Sequence, residues 1–200
     1  MRVTGGEYSG RRIAVPPGEI RPAMDRMRES LFSILVSAFG SLEGRKVLDL
    51  FSGSGSMAIE GLSRGARYAV LVERDRGKSA VIRKNLSYVE DERWKLVLSP
   101  VERYLKQAPS SDSAGFDIVF VDPPFRYPKK VQLLSRIASS GLAGVNSRVV
   151  IHFPKEDALD EEIAGLTRVD HRAYGRSIVH IYQPTGATVD GSTIDGAIDE

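Results

Sequence analysis

From Gly44 onward short apolar runs alternate with amphipathic segments, and that order restricts the possible folds more than any other feature of the chain. The apolar runs fall at 46–51, 68–73, 95–99, 116–121 and 148–153, and segments with helical spacing lie near 56–64, 75–89, 101–107 and 129–140. Strand, helix, strand in repetition builds a parallel sheet whose crossover helices cover its faces. The end of the chain breaks this rhythm. Two strand-like runs, 166–174 and 177–183, are separated only by Gly175-Arg176, which predicts a closing antiparallel hairpin. The expected fold is α/β, with a mostly parallel seven-stranded sheet.

The first 43 residues form a separate extension. Arg2 to Thr4 and Arg11 to Val15 flank Gly5-Gly6-Glu7-Tyr8-Ser9-Gly10 and read as a β-hairpin that Pro16-Pro17-Gly18 ends. Met24, Met27, Leu31, Ile34, Leu35 and Ala38 then recur at helical spacing, which predicts an amphipathic helix over 24–39. Arg28 falls inside its apolar stripe, either as a snorkelling side chain or as a cation directed at a site. Residues 44–184 are the sheet domain. The stretch 185–200 has no usable period and is expected to stay disordered.

Charge divides along the same lines. The chain has 28 Lys and Arg against 26 Asp and Glu, but residues 185–200 contain four of those acids and no base. Residues 1–184 therefore carry a surplus of six positive charges, compatible with a polyanionic partner or simply with a solvated surface. With no Cys, thiol catalysis, disulfide scaffolds and cysteine-held metals are excluded. No segment reads as a secretory signal or membrane span, so the expected location is the cytoplasm.

Two motifs carry chemistry. Lys46 to Phe51 runs into Ser52-Gly53-Ser54-Gly55-Ser56-Met57-Ala58, a glycine turn between a strand and a helix. Glycines there permit a tight turn and close backbone approach of a ligand, although a purely structural turn has the same pattern. Asp49 inside the strand is a poor packing residue, and Glu73 ends the next strand 24 positions later, where a carboxylate can accept both hydroxyls of a ribose. An anionic Asp49 opposes a pyrophosphate and favours a cation, which points from a dinucleotide toward S-adenosylmethionine.

The second motif, Asp122-Pro123-Pro124-Phe125, follows the run Phe116 to Val121 at the carboxyl edge of the sheet. Its Asp122 carboxylate and Pro123 carbonyl make an acceptor-rich corner for an amino group, and Phe125 offers a surface for stacking. Holding both N–H groups lets the nitrogen pyramidalise and aim its lone pair at an electrophilic methyl group. A structural Asp-Pro-Pro turn is the plain alternative. Weaker features are His152, His171 and His180, read as structural, and Lys129-Lys130, either phosphate contacts or a solvated helix start. No metal site is expected.

Together these residues resemble class I S-adenosylmethionine-dependent amino-methyltransferases, and more closely the RsmD family of 16S rRNA guanine-N2 methyltransferases. The resemblance covers about residues 1–184. It rests on Gly5-Gly6-Glu7-Tyr8-Ser9-Gly10-Arg11-Arg12, Arg21-Pro22, Asp25-Arg26-Met27-Arg28-Glu29, Leu31-Phe32, Val47 to Gly55, Glu60 to Ala66, Asp122 to Phe125 and Tyr174-Gly175-Arg176. The glycine turn and Asp122 to Phe125 identify the broad class, and the N-terminal block specifies the family.

The resemblance implies a Rossmann-like class I methyltransferase fold and methyl transfer to the guanine numbered 966, in 16S rRNA of the small subunit or its assembly intermediate. Asp49, Phe51, Gly53, Gly55 and Glu73 would hold S-adenosylmethionine, and Asp122, Pro123, Pro124 and Phe125 the flipped base. Arg11, Arg12, Arg21, Arg26 and Arg28 would face RNA or brace the site in a monomer. Where the family usually has Asp or Asn after the third strand, this chain has Pro100, which leaves adenine to the Val101 amide, Ser99 or packing. Ala23 and Met24 stand where the family often has Thr before the first long helix. The alternatives are an amino-methyltransferase for another nucleic acid or a protein, or a catalytically weak RNA-binding assembly factor.

Overall fold

A computed structural model describes residues 1–15, 23–107 and 115–185. Its strands are β1 (Lys46–Leu50), β2 (Tyr68–Glu73), β3 (Trp94–Leu98), β4 (Phe116–Val121), β5 (Ala143–Pro154), β6 (Glu162–Ile163), β7 (Leu166–Tyr174) and β8 (Ser177–Pro184). The helices are α1 (Ala23–Phe39), α2 (Ser56–Ser63), α3 (Ser79–Leu86), α4 (Val101–Gln107) and α5 (Lys130–Ser139). All strands join one sheet in the order β3-β2-β1-β4-β5-β8-β7-β6. The first five are mutually parallel, while β8, β7 and β6 are added antiparallel. Strand order reverses between β1 and β4, the switch point at which open α/β sheets place ligands.

Alternation along the strands sorts the core into two layers. Val47, Ala69, Leu71, Ile118, Phe120 and Val150 pack under α1, α2 and α3 through Leu31, Phe32, Leu35, Ile59, Leu62, Ile82 and Leu86. Leu48, Leu50, Val70, Val72, Val119, Val121, Val149 and Ile151 face α4 and α5 through Val101, Leu105, Leu133, Leu134 and Ile137. Both faces are covered, which explains why the parallel strands read as nearly continuous apolar runs.

The sheet differs from expectation by one strand. The extra β6 is a two-residue edge piece joined to β7 through Ala164-Gly165, both at positive φ (48° and 82°). A two-residue hairpin turn of this hand normally uses Asn or Gly at its first position, so Ala164 hid it. The expected helix over 75–89 is also divided. The Asp75 side chain accepts from the Gly77 amide at 2.8 Å and starts a short 3-10 turn (Arg76–Lys78) before α3 begins. At the N-terminus the hairpin is reduced to one bridge, Arg2 to Arg12, supported by Val3 N to Arg11 O (2.9 Å) and Gly10 N to Val3 O (2.9 Å). Pro16 to Pro22 and the acidic stretch after Thr185 lie outside the described residues. Among the described residues no helix is long and apolar enough to cross a membrane.

Candidate active site

Register builds the site before any side chain is considered. Leu50 pairs with Val72 on one side and Val121 on the other, and Val121 pairs with Ile151. The next residue of each strand, Glu73, Phe51, Asp122 and His152, therefore falls in one row along the carboxyl edge, spanning both sides of the switch point. Asp49 lies two residues inside this row, between Leu71 and Phe120.

The glycine turn occupies the first half of the row. Phe51 takes a left-handed backbone (φ 63°), unfavourable for a side chain with a Cβ by roughly 1–2 kcal/mol. Its ring packs edge-on against Tyr127 at 5.4 Å. Ser52 Oγ donates to the carbonyls of Asp49 (2.7 Å) and Val72 (3.2 Å), clamping the turn to both strands. Gly55 precedes α2 at φ 80°, and a Cβ there would meet Leu71 Cδ2 at 3.0 Å, so this position needs glycine twice over. Asp49 is 2% exposed, and its Oδ2 accepts from the Ala58 amide at 3.2 Å. Burial pushes its carboxyl up to about 8 against the opposing Ala58 hydrogen bond, with Asp122 and Glu73 adding repulsion.

Glu73 is buried at the end of β2, with Oε2 accepting from Gly53 N (2.9 Å) and Oε1 from Asp75 N (2.8 Å). Each oxygen keeps lone-pair capacity for a hydroxyl. Val101 opens α4, so its amide belongs to the turn that has no carbonyl of its own helix to meet. Two carboxyl groups beside the turn suit a nucleoside bearing a cation, which draws Asp49 toward its ionised form, and disfavour a pyrophosphate.

The other half of the row is the Asp122 corner. Asp122 has a side chain 31% exposed, and its Oδ1 lies 2.7 Å from His152 Nδ1. Pro123 is buried, Pro124 is exposed, and the half-buried Phe125 ring meets the His152 ring edge-on at 5.4 Å. The loop that follows is fastened at several points. Lys130 Nζ donates to the carbonyls of Phe125 (3.2 Å) and Tyr127 (2.5 Å) and pairs with Asp157 at 2.8 Å. The Tyr127 hydroxyl donates to Glu102 Oε1 at 2.6 Å. Of the two readings of Lys130 from sequence, phosphate contact or solvated helix start, neither describes this buried clamp.

The arginines expected to face RNA or brace the site divide. Arg11, Arg12 and Arg26 are exposed, and Arg21 lies outside the described residues. Arg28 does not face RNA: it is 1% exposed, held by Glu60 (3.1 Å), Asp25 (3.0 Å), the Arg2 carbonyl and Met1 Sδ. It braces the N-terminal segment instead. Arg2, Arg11, Arg12, Lys84, Asn85 and Tyr88 line a groove of about 640 Å³ between that segment and α3, with the Arg11 guanidinium 4.4 Å from the centre of the Tyr88 ring. Asn85 joins this groove to the glycine turn: its Oδ1 accepts from Ala14 N (2.9 Å), and its Nδ2 donates to the carbonyls of Ala14 (2.8 Å) and Ser54 (2.9 Å).

Sequence reasoning did not single out Tyr127, Glu102 or Asn85, and it read His152 as structural and Lys130 as a phosphate contact or a solvated helix start. For His152 a signal existed. It follows Val149-Val150-Ile151 as Asp122 follows Ile118 to Val121, a polar residue at the carboxyl end of a buried strand. His171 and His180 keep their structural reading, bonded to each other at 2.8 Å, with His180 Nδ1 3.1 Å from the Tyr182 hydroxyl.

The sequence profile of a family described as conserved hypothetical protein 95 matches residues 1–183. Among curated relatives, the "Putative rRNA methyltransferase YlbH" of Bacillus subtilis is 32% identical over 188 residues, 93% of this chain and 100% of the relative. The "Ribosomal RNA small subunit methyltransferase D" of Escherichia coli is 31% identical over 185 residues, 92% of this chain and 89% of that protein. Among solved structures, the "Putative methyltransferase yhhF" of Escherichia coli superposes with a TM-score of 0.81 at 30% identity, covering 94% of this chain and 99% of the other.

Proposed function

The chain belongs to the RsmD family, whose profile is described as conserved hypothetical protein 95, and from that premise we propose that it methylates the N2 amine of a 16S rRNA guanine, family position 966. The observation that carries this reading is the row of Glu73, Phe51, Asp122 and His152 along one sheet edge, with Asp49 just behind it. The cofactor is S-adenosylmethionine, which supplies, when bound, an electrophilic methyl group on a sulfonium that becomes a neutral thioether once the amine nitrogen has taken the methyl. Asp49 Oδ1 and the Gly53 to Gly55 backbone would hold its amino acid part, Glu73 its ribose, and the Val101 amide and Phe51 its adenine side.

The acceptor corner prepares the nucleophile. A guanine amine is a weak nucleophile because its lone pair is delocalised into the ring. Asp122 Oδ2 and the Pro123 carbonyl accept hydrogen bonds from its two N–H groups, which fixes the nitrogen and turns its lone pair toward the methyl group. Phe125 stacks on the extruded base, and a loop guanine costs less to extrude than a paired one. After transfer the nitrogen is cationic, and its proton leaves to Asp122 Oδ2 or to water. Alignment, not a strong base, carries most of the acceleration.

The reading is tested by incubating the protein with labelled cofactor and unmethylated small subunits, free 16S rRNA or DNA, followed by mapping of the modified base. Label at one guanine N2 in the subunit is expected. Label on DNA or on protein alone would overturn it. Asp122→Ala should abolish transfer while calorimetry finds cofactor binding nearly unchanged, and loss of both together would make Asp122 structural.

A further inference from the structure

Asp122 meets its amine through one oxygen, and the structure shows what occupies the other. His152 Nδ1 stands 2.7 Å from Asp122 Oδ1, joining two residues that the register of β4 and β5 sets side by side. A carboxylate oxygen only accepts, so Nδ1 carries a proton, and in the neutral imidazole Nε2 is then an acceptor. Nε2 is buried and has no hydrogen-bond partner among the described residues, and the whole residue is 7% exposed. An unpartnered acceptor is tolerated in such a place more readily than an unpartnered N–H. The surroundings therefore select one tautomer, the one that can donate to Asp122.

The imidazole also touches the second member of the base pocket. Its ring lies edge-on to Phe125 at 5.4 Å and 73°. One buried side chain on β5 thus contacts both the carboxylate that takes an amine hydrogen and the ring on which the base stacks. We propose that His152 is a positioning residue for methyl transfer: its Nδ1–H engages Asp122 Oδ1 and so presents Oδ2 to the guanine amine. This role rests on the function proposed above and assigns within it what orients the acceptor corner. Without the Nδ1 donor the Asp122 side chain is free to turn about its terminal torsion, and the amine loses the fixed partner that aims its lone pair.

Two variants separate orientation from packing. His152→Phe keeps an aromatic ring and removes the donor, whereas His152→Asn keeps a donor at nearly the Nδ1 position and removes most of the ring. With unmethylated small subunits and labelled cofactor, His152→Phe is expected to lower kcat by about 100-fold, the scale of an ångström of misplacement. Cofactor Kd and the subunit KM should stay within about two-fold of wild type, as for a group that acts only in the transition state. His152→Asn should recover most of kcat. On the protein alone, nitrogen NMR of the imidazole should find the proton on Nδ1, and Asp122→Ala should release that preference.

A kcat for His152→Phe within about two-fold of wild type would overturn the proposal, as would equal impairment of both variants or a wild-type proton on Nε2. Wild-type protein inactive on the subunit would overturn the function itself together with this role. The NMR result would then still show whether the contact with Asp122 exists, so the two failures are told apart.

Discussion

Asp49 is the residue whose environment most changes its chemistry. A carboxyl in water ionises near 3.8, and burial here moves it up to about 8, so the ligand-free protein holds a proton on Asp49 at neutral pH. A cationic ligand beside it favours the ionised form and draws the value down. Between the lowered and the raised value, binding must release that proton, and affinity must rise with pH. Calorimetric titration with S-adenosylmethionine should therefore show proton release near pH 7 and tighter binding at pH 7 than at pH 6. Readings are best kept below the range in which the ligand's own α-amine titrates, ~7.7–8.0. Asp49→Asn should bind more weakly and lose the pH dependence. A proton count of zero for the wild-type protein would show that binding leaves the charge of Asp49 unchanged. The place of this residue was readable, as a carboxylate inside an apolar strand just before the glycine turn. The left-handed backbone of Phe51 was not, because nothing in its neighbours demands it.

At the scale of elements, Glu60 on α2 is the joint between the N-terminal segment and the sheet domain. Fully buried, it accepts from the Thr4 amide (2.9 Å) and hydroxyl (2.6 Å), from Arg28 on α1 (3.1 Å) and from Arg64 (2.9 Å). Removing one partner of a buried ionic cluster leaves the others uncompensated, which typically costs about 3–5 kcal/mol. Glu60→Ala should show a loss of that size in urea unfolding, and a change under about 1 kcal/mol would mean that packing alone joins the two parts. The sequence placed Arg28 in an apolar stripe but left its direction open, because its partners other than Asp25 are 32 residues away on α2 and at the very start of the chain. The same limit applies to His152. Strand positions follow from local alternation and were readable, whereas contacts made by register join residues 30 apart and need the assembled sheet. Asn85 shows this most clearly, since its three bonds reach Ala14 and Ser54 from a helix whose spacing marks it only as a buried polar residue.

For the whole molecule the question is where the positive surplus of residues 1–184 acts. A net charge of +2 for the full chain would barely attract a polyanion, but the surplus is six without the acidic last 16 residues. Part of it is spent internally, as Arg28 and Arg64 are engaged with Glu60. Among the described residues the exposed Arg11 and Arg12 have no such ion pair, and they line the groove with Arg2 and Lys84, next to the Tyr88 ring. Asn85 ties the wall of that groove to the turn expected to hold the cofactor through its bond to the Ser54 carbonyl. Each phosphate contact releases condensed counterions, and binding falls with salt by ~0.9 logarithmic units per contact for a duplex and ~0.7 for a single strand. If Arg11 and Arg12 each hold a phosphate, Arg11→Ala with Arg12→Ala should weaken RNA binding and reduce the magnitude of the salt slope by about 1.4–1.8. Cofactor affinity should not change. Measuring RNA binding by anisotropy between low and physiological salt provides the comparison, and an unchanged slope would move the RNA to a different face. A slope reduced by only half that amount would assign one arginine to phosphate and leave the other, most simply Arg11 stacked on Tyr88, to the shape of the groove.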